Sequence, residues 1–192
     1  MTTGAILLAA GFSRRFGSIK LTAMLPGNTT VLASTSRLLQ NNVDELIVVT
    51  RPALFDADVF ASTDIPEQQI VLCPDAELGM GHSLACGIRA LPAHWDACLV
   101  CLADMPFIKP STLQQICSRA DRSRIVIPAY QGQRGHPVCF GRDFFTELAQ
   151  SQGDTGGRDV IKSHPEQLDL LEMDDAGILQ DIDTPEDLPA CQ

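Results

Sequence analysis

Short apolar runs alternate with segments of helical spacing along much of the chain. The strand-like runs are residues 5–10, 45–50, 68–73, 97–103 and 124–129. Residues 29–42, 82–92 and 111–119 have apolar positions at helical spacing, and Ser111, after Pro110, is expected to cap the last of these helices. Alternation of this kind predicts βαβ units and a mostly parallel sheet.

The pattern changes after about residue 128. Residues 129–140, AYQGQRGHPVCF, predict a β-hairpin excursion with Gly132 and Gly135 in its turn, and residues 142–150 predict a helix. Near the end of the chain, after QLDLLEM in residues 167–173, a short strand is expected to run into a helix capped at Thr184-Pro185. We predict a Rossmann-like three-layer αβα sandwich with a mostly parallel sheet and a small β-hairpin excursion.

Net charge narrows the classes of function. The chain has 24 acidic and 14 basic residues and a net charge of −10, so its surface should repel nucleic acid and anionic lipid. The opening residues MTTGAILLAAG lack a basic n-region, and no apolar run approaches the roughly 20 residues of a membrane span. A cytoplasmic protein with no nucleic-acid or membrane partner is expected, and the length of 192 residues suits one domain.

Seven cysteines, an odd number, lie mostly in apolar runs. Cys98 and Cys101 form a C-x-x-C pair inside a predicted strand, where the side-chain period of two sends them to opposite faces. They are therefore not expected to chelate one metal ion. Reduced cysteines acting as small core residues are predicted.

A glycine-rich basic turn follows the first apolar run, with the sequence LAAGFSRRFGSIK in residues 8–20. Glycine amides together with Arg15 and Lys20 suit a phosphate group. The turn lacks the GK pair of a Walker loop and the G-x-G-x-x-G of a dinucleotide-binding fold. A solvated basic turn is the alternative interpretation.

Two carboxylates have similar positions relative to apolar residues. Asp104 directly follows residues 97–103, and Asp183 follows Ile182. Two strand-end acids beside a phosphate loop would form an oxygen site suited to Mg²⁺. Asp104 taken alone also suits a helix cap or a turn, and Asp181 either assists the site or is a surface acid.

Two glycines, Gly79 and Gly81, precede a helix that is predicted to start near His82 or Ser83. Backbone amides at such a helix start are free to hold a nucleotide. His82 has either a chemical role there or none beyond starting the helix.

Taken together, these segments resemble the MobA-like nucleotidyltransferases, and within them the molybdenum cofactor cytidylyltransferase branch. The matching segments, in order, are LAAGFSRRFGSIK (8–20), GMGHSLACGI (79–88), LADMPF (102–107), RGHPVCF (134–140), GDTGGR (153–158) and DIDTPEDL (181–188). The resemblance implies one domain over residues 1–192 that transfers a nucleoside monophosphate to a phosphorylated acceptor and releases pyrophosphate.

The resemblance also implies site residues. Nucleotide contacts are expected from Leu8, Ala9, Ala10, Gly11, Arg15, Lys20, Gly79, Gly81 and Ser83. Acceptor contacts are expected from Gly135, His136, Pro137, Gly156, Gly157 and Arg158. Asp104 and Asp183 would hold Mg²⁺, or alternatively Mn²⁺, and Lys20, Arg15 and Asp104 would be the catalytic residues.

Ala10 favours CTP as the nucleotide, because guanylyl-transferring relatives usually read LAGG where this chain reads LAAG. The implied partners are CTP and a phosphorylated pterin-type acceptor. A transient contact with a molybdoenzyme or its chaperone is a further implied partner. An acceptor phosphate is already ionised near neutral pH, so no general base is required. The alternatives are a guanylyl- or sugar-phosphate nucleotidyltransferase and a nucleotide-binding regulator without turnover.

Overall fold

A computed structural model describes residues 1–189. Its strands are β1 (Thr3–Leu8), β2 (Met24–Leu25), β3 (Thr29–Thr30), β4 (Leu46–Thr50), β5 (Ile70–Leu72), β6 (Ala97–Leu102), β7 (Ile125–Tyr130), β8 (Gln133–Arg134), β9 (Val138–Gly141) and β10 (Leu168–Glu172). Its α-helices are α1 (Val31–Gln40), α2 (Pro52–Asp56), α3 (Met80–Arg89), α4 (Pro110–Arg119), α5 (Phe145–Leu148) and α6 (Arg158–Ser163). Short 3₁₀ turns include Lys20–Thr22, Pro74–Leu78, Arg142–Phe144, Ala176–Leu179 and Pro185–Asp187.

The main sheet has the strand order β10-β7-β9-β6-β1-β4-β5, with β8 paired to β7. Strands β6, β1, β4 and β5 are parallel neighbours, as are β7 and β10. Strand β9 returns antiparallel between β6 and β7, and β2 pairs with β3 in a separate small ribbon. The mostly parallel sheet and the hairpin excursion confirm the predicted fold.

Side chains alternate across the sheet into two apolar layers. On β1, Ala5 and Leu7 belong to one buried cluster, while Ile6 and Leu8 belong to the cluster on the opposite face. Helices α1 and α4 contribute to the first cluster, and helices α3, α5 and α6 contribute to the second. Three layers result because β1 is buried on both faces.

The cysteine pair in β6 behaves as its spacing predicts. Cys98 lies in the cluster on one face of the sheet and Cys101 in the cluster on the other. Burial raises the pKa of both thiols, so both stay protonated near neutral pH. Within residues 1–189 the cysteines are free thiols.

The carboxyl ends of β1, β4 and β6 meet at one edge of the sheet. The amide of Ala9 donates to the Val49 carbonyl at 2.8 Å, and the amide of Ala103 donates to the Leu8 carbonyl at 3.1 Å. The turn after β1 therefore lies between the segments that follow β4 and β6. This edge is where open α/β sheets hold ligands.

Helix α4 differs from the prediction at its start. Ser111 is not its cap, because the helix begins at Pro110 and its N-cap residue is Lys109. The capping acceptor is the buried carboxylate of Asp175, which accepts from the Lys109 amide at 2.8 Å and from the Thr112 hydroxyl at 2.6 Å. A residue distant in sequence thus replaces the local cap.

Three other segments also differ from the prediction. The expected short strand before Thr184 is absent from the described residues, and the amide of Ile182 instead makes one hydrogen bond to the Asp104 carbonyl at 2.9 Å. The expected helix over residues 142–150 is a 3₁₀ turn followed by the short α5. The helix expected to start near His82 begins at Met80.

In the hairpin excursion, Gly132 occupies the turn between β7 and β8 with a φ of 78°, as the sequence predicts. Gly135 follows β8 and lies outside that turn. At the C-terminal end, Thr184 is the N-cap residue as expected, but the element after it is a short 3₁₀ turn and not an α-helix, and the Thr184 amide donates to the Asp187 carboxylate at 2.7 Å. Every helix in residues 1–189 is too short or too polar to cross a membrane.

Candidate active site

A cavity of about 440 Å³, named here the β1 cavity, opens at the carboxyl end of β1. Eight of the predicted nucleotide residues line it, namely Leu8, Ala9, Ala10, Gly11, Arg15, Lys20, Gly79 and Ser83. Gly81 does not line this cavity. It is buried in α3, and its amide donates to the carbonyl of Gly153 at 2.7 Å.

The basic turn after β1 folds back on itself and points Lys20 inward. Ser13 adopts a left-handed φ of 50°, and its hydroxyl accepts from the Lys20 amide at 3.2 Å. Lys20 is the first residue of a 3₁₀ turn, and only 8% of its surface is exposed. A lysine in a solvated basic turn would be exposed, so the alternative interpretation of this turn does not hold for Lys20.

Lys20 meets two carboxylates from distant parts of the chain. Its Nζ donates to Asp104 Oδ2 at 2.5 Å and to Asp183 Oδ1 at 2.8 Å. Arg15 pairs with the other oxygen of Asp183. Burial alone would lower the pKa of Lys20, but the two carboxylates outweigh it and raise that pKa, so the ammonium is charged. The hydrogen bond from Lys20 lowers the pKa of Asp183.

Asp181 joins Asp104 and Asp183 in an acidic cluster. Each residue offers one carboxylate oxygen, and these oxygens lie within 4.8 Å of one another. Burial and the negative charges of Asp183 and Asp104 raise the pKa of Asp181. Asp104 Oδ1 is buried and has no hydrogen-bond partner among residues 1–189. Carboxylate oxygens from three residues, one of which has a buried oxygen without a partner among residues 1–189, fit a hard divalent cation.

A second cavity of about 620 Å³, named the β9 cavity, lies beside the first. Of the predicted acceptor residues, Gly135, His136, Gly156, Gly157 and Arg158 line it, and Pro137 is buried outside the lining. Two of these glycines make close contacts. A Cβ at Gly135 would lie 2.5 Å from the Ile178 carbonyl oxygen, and one at Gly157 would lie 2.7 Å from the Phe140 ring.

The β9 cavity combines apolar walls with cationic groups. Leu84, Ile127 and Phe140 supply apolar surface, and Arg134 and Lys162 join Arg158 as cations. The sequence predicted no role for Arg134, although it is the first residue of the motif RGHPVCF, or for Lys162, which lies four residues after the motif GDTGGR. The cavity can therefore hold an anionic molecule with an apolar body.

His136 lies where the β9 cavity approaches the acidic cluster. Burial lowers its pKa, although the Val100 carbonyl and the charge of Asp104 act in the opposite direction, so the imidazole is neutral near pH 7. Its Nδ1 is buried, and the part of the chain that the structure describes offers it no hydrogen-bond partner. Leu8 and Leu102 line both cavities, which places the two binding volumes side by side.

Phe12 lines the β1 cavity, and the guanidinium groups of two arginines lie near its ring. The Cζ of Arg51 lies 4.5 Å from the ring centroid, and that of Arg14 lies 5.6 Å from it. The sequence offered no motif around Arg51. The local sequence signal is Pro52, which lies in the first turn of α2. That helix follows Arg51 directly and positions it.

The fold and the paired cavities define an α/β protein with two adjoining ligand sites at the carboxyl edge of its sheet. The chain matches the family described as MobA-like NTP transferase domain over residues 5–168, and it belongs to that family. The resemblance found in the sequence is thereby confirmed, and the protein is a nucleotidyltransferase of this family.

Three curated relatives align with nearly the whole chain. Purine catabolism protein PucB of Bacillus subtilis is 32% identical over 191 residues, which cover 95% of this chain and 92% of that protein. Nicotine blue oxidoreductase of Paenarthrobacter nicotinovorans is 29% identical, with 95% and 93% covered. Molybdenum cofactor cytidylyltransferase of Escherichia coli is 25% identical, with 95% and 91% covered. The three names refer to different activities, so membership of the family does not by itself identify the substrate of this chain.

Solved structures agree with the fold. Rv0371c of Mycobacterium tuberculosis superposes with a TM-score of 0.85 at 28% identity, covering 97% of this chain and 95% of that chain. A second structure of Rv0371c, a complex with manganese, has a TM-score of 0.81 at 26% identity, with 97% and 96% covered. A divalent cation thus accompanies a related protein of the same fold.

Proposed function

We propose that this nucleotidyltransferase moves CMP from CTP onto a phosphorylated small molecule, with a molybdopterin-type cofactor as the acceptor, and releases pyrophosphate. We also propose that residues 1–192 act as one domain. The observation that carries the proposal is the position of Lys20, Asp104 and Asp183 beside two adjoining cavities. A reaction that joins two anions needs such a charged centre between two binding sites.

The β1 cavity would hold the nucleotide. Its backbone at residues 8–11 would support the base and ribose, and Gly79 and Ser83 would contact the nucleotide from α3. Arg15 and Lys20 would neutralise the triphosphate. Buried Ala10 supports CTP, because its methyl group narrows space that glycine leaves open in LAGG relatives. The relative named molybdenum cofactor cytidylyltransferase supports the same choice.

The β9 cavity would hold the acceptor. Arg134, Arg158 and Lys162 suit its phosphate, and the apolar walls suit a planar pterin body. An oxygen of the acceptor phosphate would form a bond to the α-phosphorus of the nucleotide. The bond from that phosphorus to the bridging oxygen would break, and pyrophosphate would leave with the electron pair. The attacking phosphate is ionised, so the neutral His136 need not act as a base.

Asp104, Asp183 and Asp181 would hold a divalent cation, for which we propose Mg²⁺, with Mn²⁺ as the alternative. When bound, the cation would stabilise the negative charge on the phosphate oxygens during nucleotidyl transfer. Lys20 would orient the Asp104 and Asp183 carboxylates through the hydrogen bonds described above. The same ammonium, charged because its pKa is raised, would lie near the phosphates and offset their negative charge.

A panel of nucleotides and acceptors, scored by pyrophosphate release, tests the proposal. CTP, GTP, UTP and ATP are each combined with molybdopterin and with several sugar 1-phosphates in the presence of Mg²⁺ or Mn²⁺. CTP with molybdopterin should give the fastest release. Preference for GTP or for a sugar phosphate would contradict the proposal in favour of those alternatives. CTP binding without release from any acceptor would indicate a regulator.

A further inference from the structure

Two loops from distant parts of the chain pack against each other between the cavities. The nucleotide loop is the name used for residues 79–83, which are Gly79 and the first turn of α3, and the acceptor loop is residues 153–158, which end at the first residue of α6. The Gly81 amide donates to the Gly153 carbonyl at 2.7 Å. In return, the Gly153 amide donates to Nδ1 of His82 at 3.2 Å. One backbone bond and one side-chain bond therefore connect the loops at the same point.

The contact leaves no room for side chains at two positions of the nucleotide loop. A Cβ at Gly79 would lie 2.3 Å from the Gly153 carbonyl oxygen and 2.6 Å from Asp154 Oδ1. A Cβ at Gly81 would lie 2.5 Å from the Gln152 carbonyl oxygen. Backbone packs directly on backbone here, so a small displacement of either loop would displace the other.

Each loop lines a different cavity, and the contact lies where the cavities adjoin. Gly79 and Ser83 line the β1 cavity, whereas residues 154–158 line the β9 cavity. Met80 and Asp154, one from each loop, line both. The position of the acceptor loop relative to the nucleotide therefore depends on this junction.

His82 contributes the one side-chain hydrogen bond that the described residues place across the junction. It lines neither cavity, so it has no direct contact with either binding volume. A residue that only starts a helix would need no partner 71 positions away in the sequence. To accept from Gly153, Nδ1 must be the unprotonated ring nitrogen, which places the proton of the neutral imidazole on Nε2.

We propose that His82 is a positioning residue that holds the acceptor loop against the nucleotide loop, so that a bound nucleotide stabilises the acceptor site. The inference rests on the proposed function for the identity of the two ligands. Its physical basis is shared ordering: a nucleotide that immobilises residues 79–83 also immobilises residues 153–158, and the acceptor then binds a loop already in place. His82 transmits this effect through the Gly153 amide.

Amide exchange of the nucleotide-free protein, followed by NMR, tests the hydrogen bond itself. His82→Ala should accelerate exchange of the Gly153 amide by about tenfold, the effect expected from losing one hydrogen bond. His82→Asn should keep exchange near the wild-type rate, because Asn Oδ1 can accept near the position of Nδ1. His94→Ala, which removes an exposed histidine outside both cavities, is the matched control and should leave Gly153 unchanged.

Steady-state kinetics with CTP and molybdopterin then test the positioning role. With CTP saturating, His82→Ala should raise KM for molybdopterin by about tenfold, while kcat and the Kd of CTP measured without molybdopterin change by less than about twofold. His82→Asn should restore most of the acceptor KM. In the wild type, CTP with Mg²⁺ should slow exchange of amides in residues 153–158, and His82→Ala should abolish that protection.

Two results would overturn the inference: unchanged Gly153 exchange in His82→Ala, or an increase in the Kd of CTP, measured without molybdopterin, that equals the increase in KM for molybdopterin. If His82→Ala fails to fold, His82→Asn is compared with His82→Gln, whose longer side chain places its amide elsewhere; identical Gly153 exchange in these two variants would also overturn it. The exchange measurement requires no turnover. An inactive wild type therefore refutes the proposed function, whereas unaltered exchange refutes the role of His82.

Discussion

Replacing Lys20 with methionine separates two roles that the buried ammonium can have. Lys20 bridges Asp104 and Asp183 at 2.5 and 2.8 Å, and only 10% of its side chain is exposed. It is therefore either a structural counter-ion for the two acids or a group that also acts on the phosphates. Methionine keeps an unbranched side chain in the same space and removes the positive charge.

The two roles predict different effects, one on the free energy of unfolding and one on kcat. Breaking a buried ion pair costs about 3–5 kcal/mol, and we expect the lower end, about 3 kcal/mol of unfolding free energy, because Asp183 keeps Arg15 as a partner. If Lys20 also stabilises charge that develops during transfer, kcat should fall by about 10²–10³-fold, as for loss of one preorganised donor. KM for the nucleotide should then change by less than about tenfold.

Urea unfolding and pyrophosphate-release kinetics on the same preparations measure the two effects. Lys20→Arg should recover only part of kcat, because a planar guanidinium does not replace a compact ammonium between two carboxylates. Arg37→Met, on the exposed face of α1, loses the same charge away from both cavities and should change neither quantity. A folded Lys20→Met protein that is less stable but retains its kcat would refute a role on the phosphates.

Three further predictions follow from the site and the core. Asp104→Ala and Asp183→Ala should each lower kcat by at least about 100-fold and weaken Mn²⁺ binding in calorimetry while the protein stays folded, and near-normal activity would remove that residue from the cation site. With Ala10 in place, kcat/KM for CTP should exceed that for GTP by at least about tenfold, or about 1.4 kcal/mol, and a measured preference for GTP would contradict the cytidylyl assignment. Gly4→Ala should lower the unfolding free energy by about 3 kcal/mol in urea titrations, because its Cβ would lie 2.2 Å from the fully buried Trp95 ring; unchanged stability would mean that the ring can move aside.

The sequence alone determined the elements whose causes are local. The apolar runs became β1, β4, β5, β6 and β7, and their alternation placed Cys98 and Cys101 on opposite faces of the sheet. The threonines that open residues 29–42 suit a helix N-cap, and Thr30 does cap α1, with its hydroxyl accepting from the Ala33 amide at 3.1 Å. Strand periodicity and a cap three residues away depend only on positions close together in the chain, so the amino-acid sequence is enough to infer them.

Capping by distant residues lay beyond the sequence. Ser111 had the correct chemistry and spacing for the cap of α4, yet the buried Asp175 carboxylate takes that role from 66 residues away, counted from Lys109. Likewise, Ile182 joins no strand because its amide bonds to Asp104 instead. In both segments a tertiary contact satisfies a backbone group that local patterning would satisfy differently.

The chemistry of the site shows the same division. Motifs in the sequence indicated Lys20, Asp104 and Asp183 individually, but their separations of 84 and 163 residues left their contacts undetermined. Only the tertiary structure decided that one ammonium bridges both acids and that His82 accepts from Gly153. Parallel strands bring their carboxyl ends to one edge whatever the length of chain between them, and the loops at that edge then determine which side chains meet.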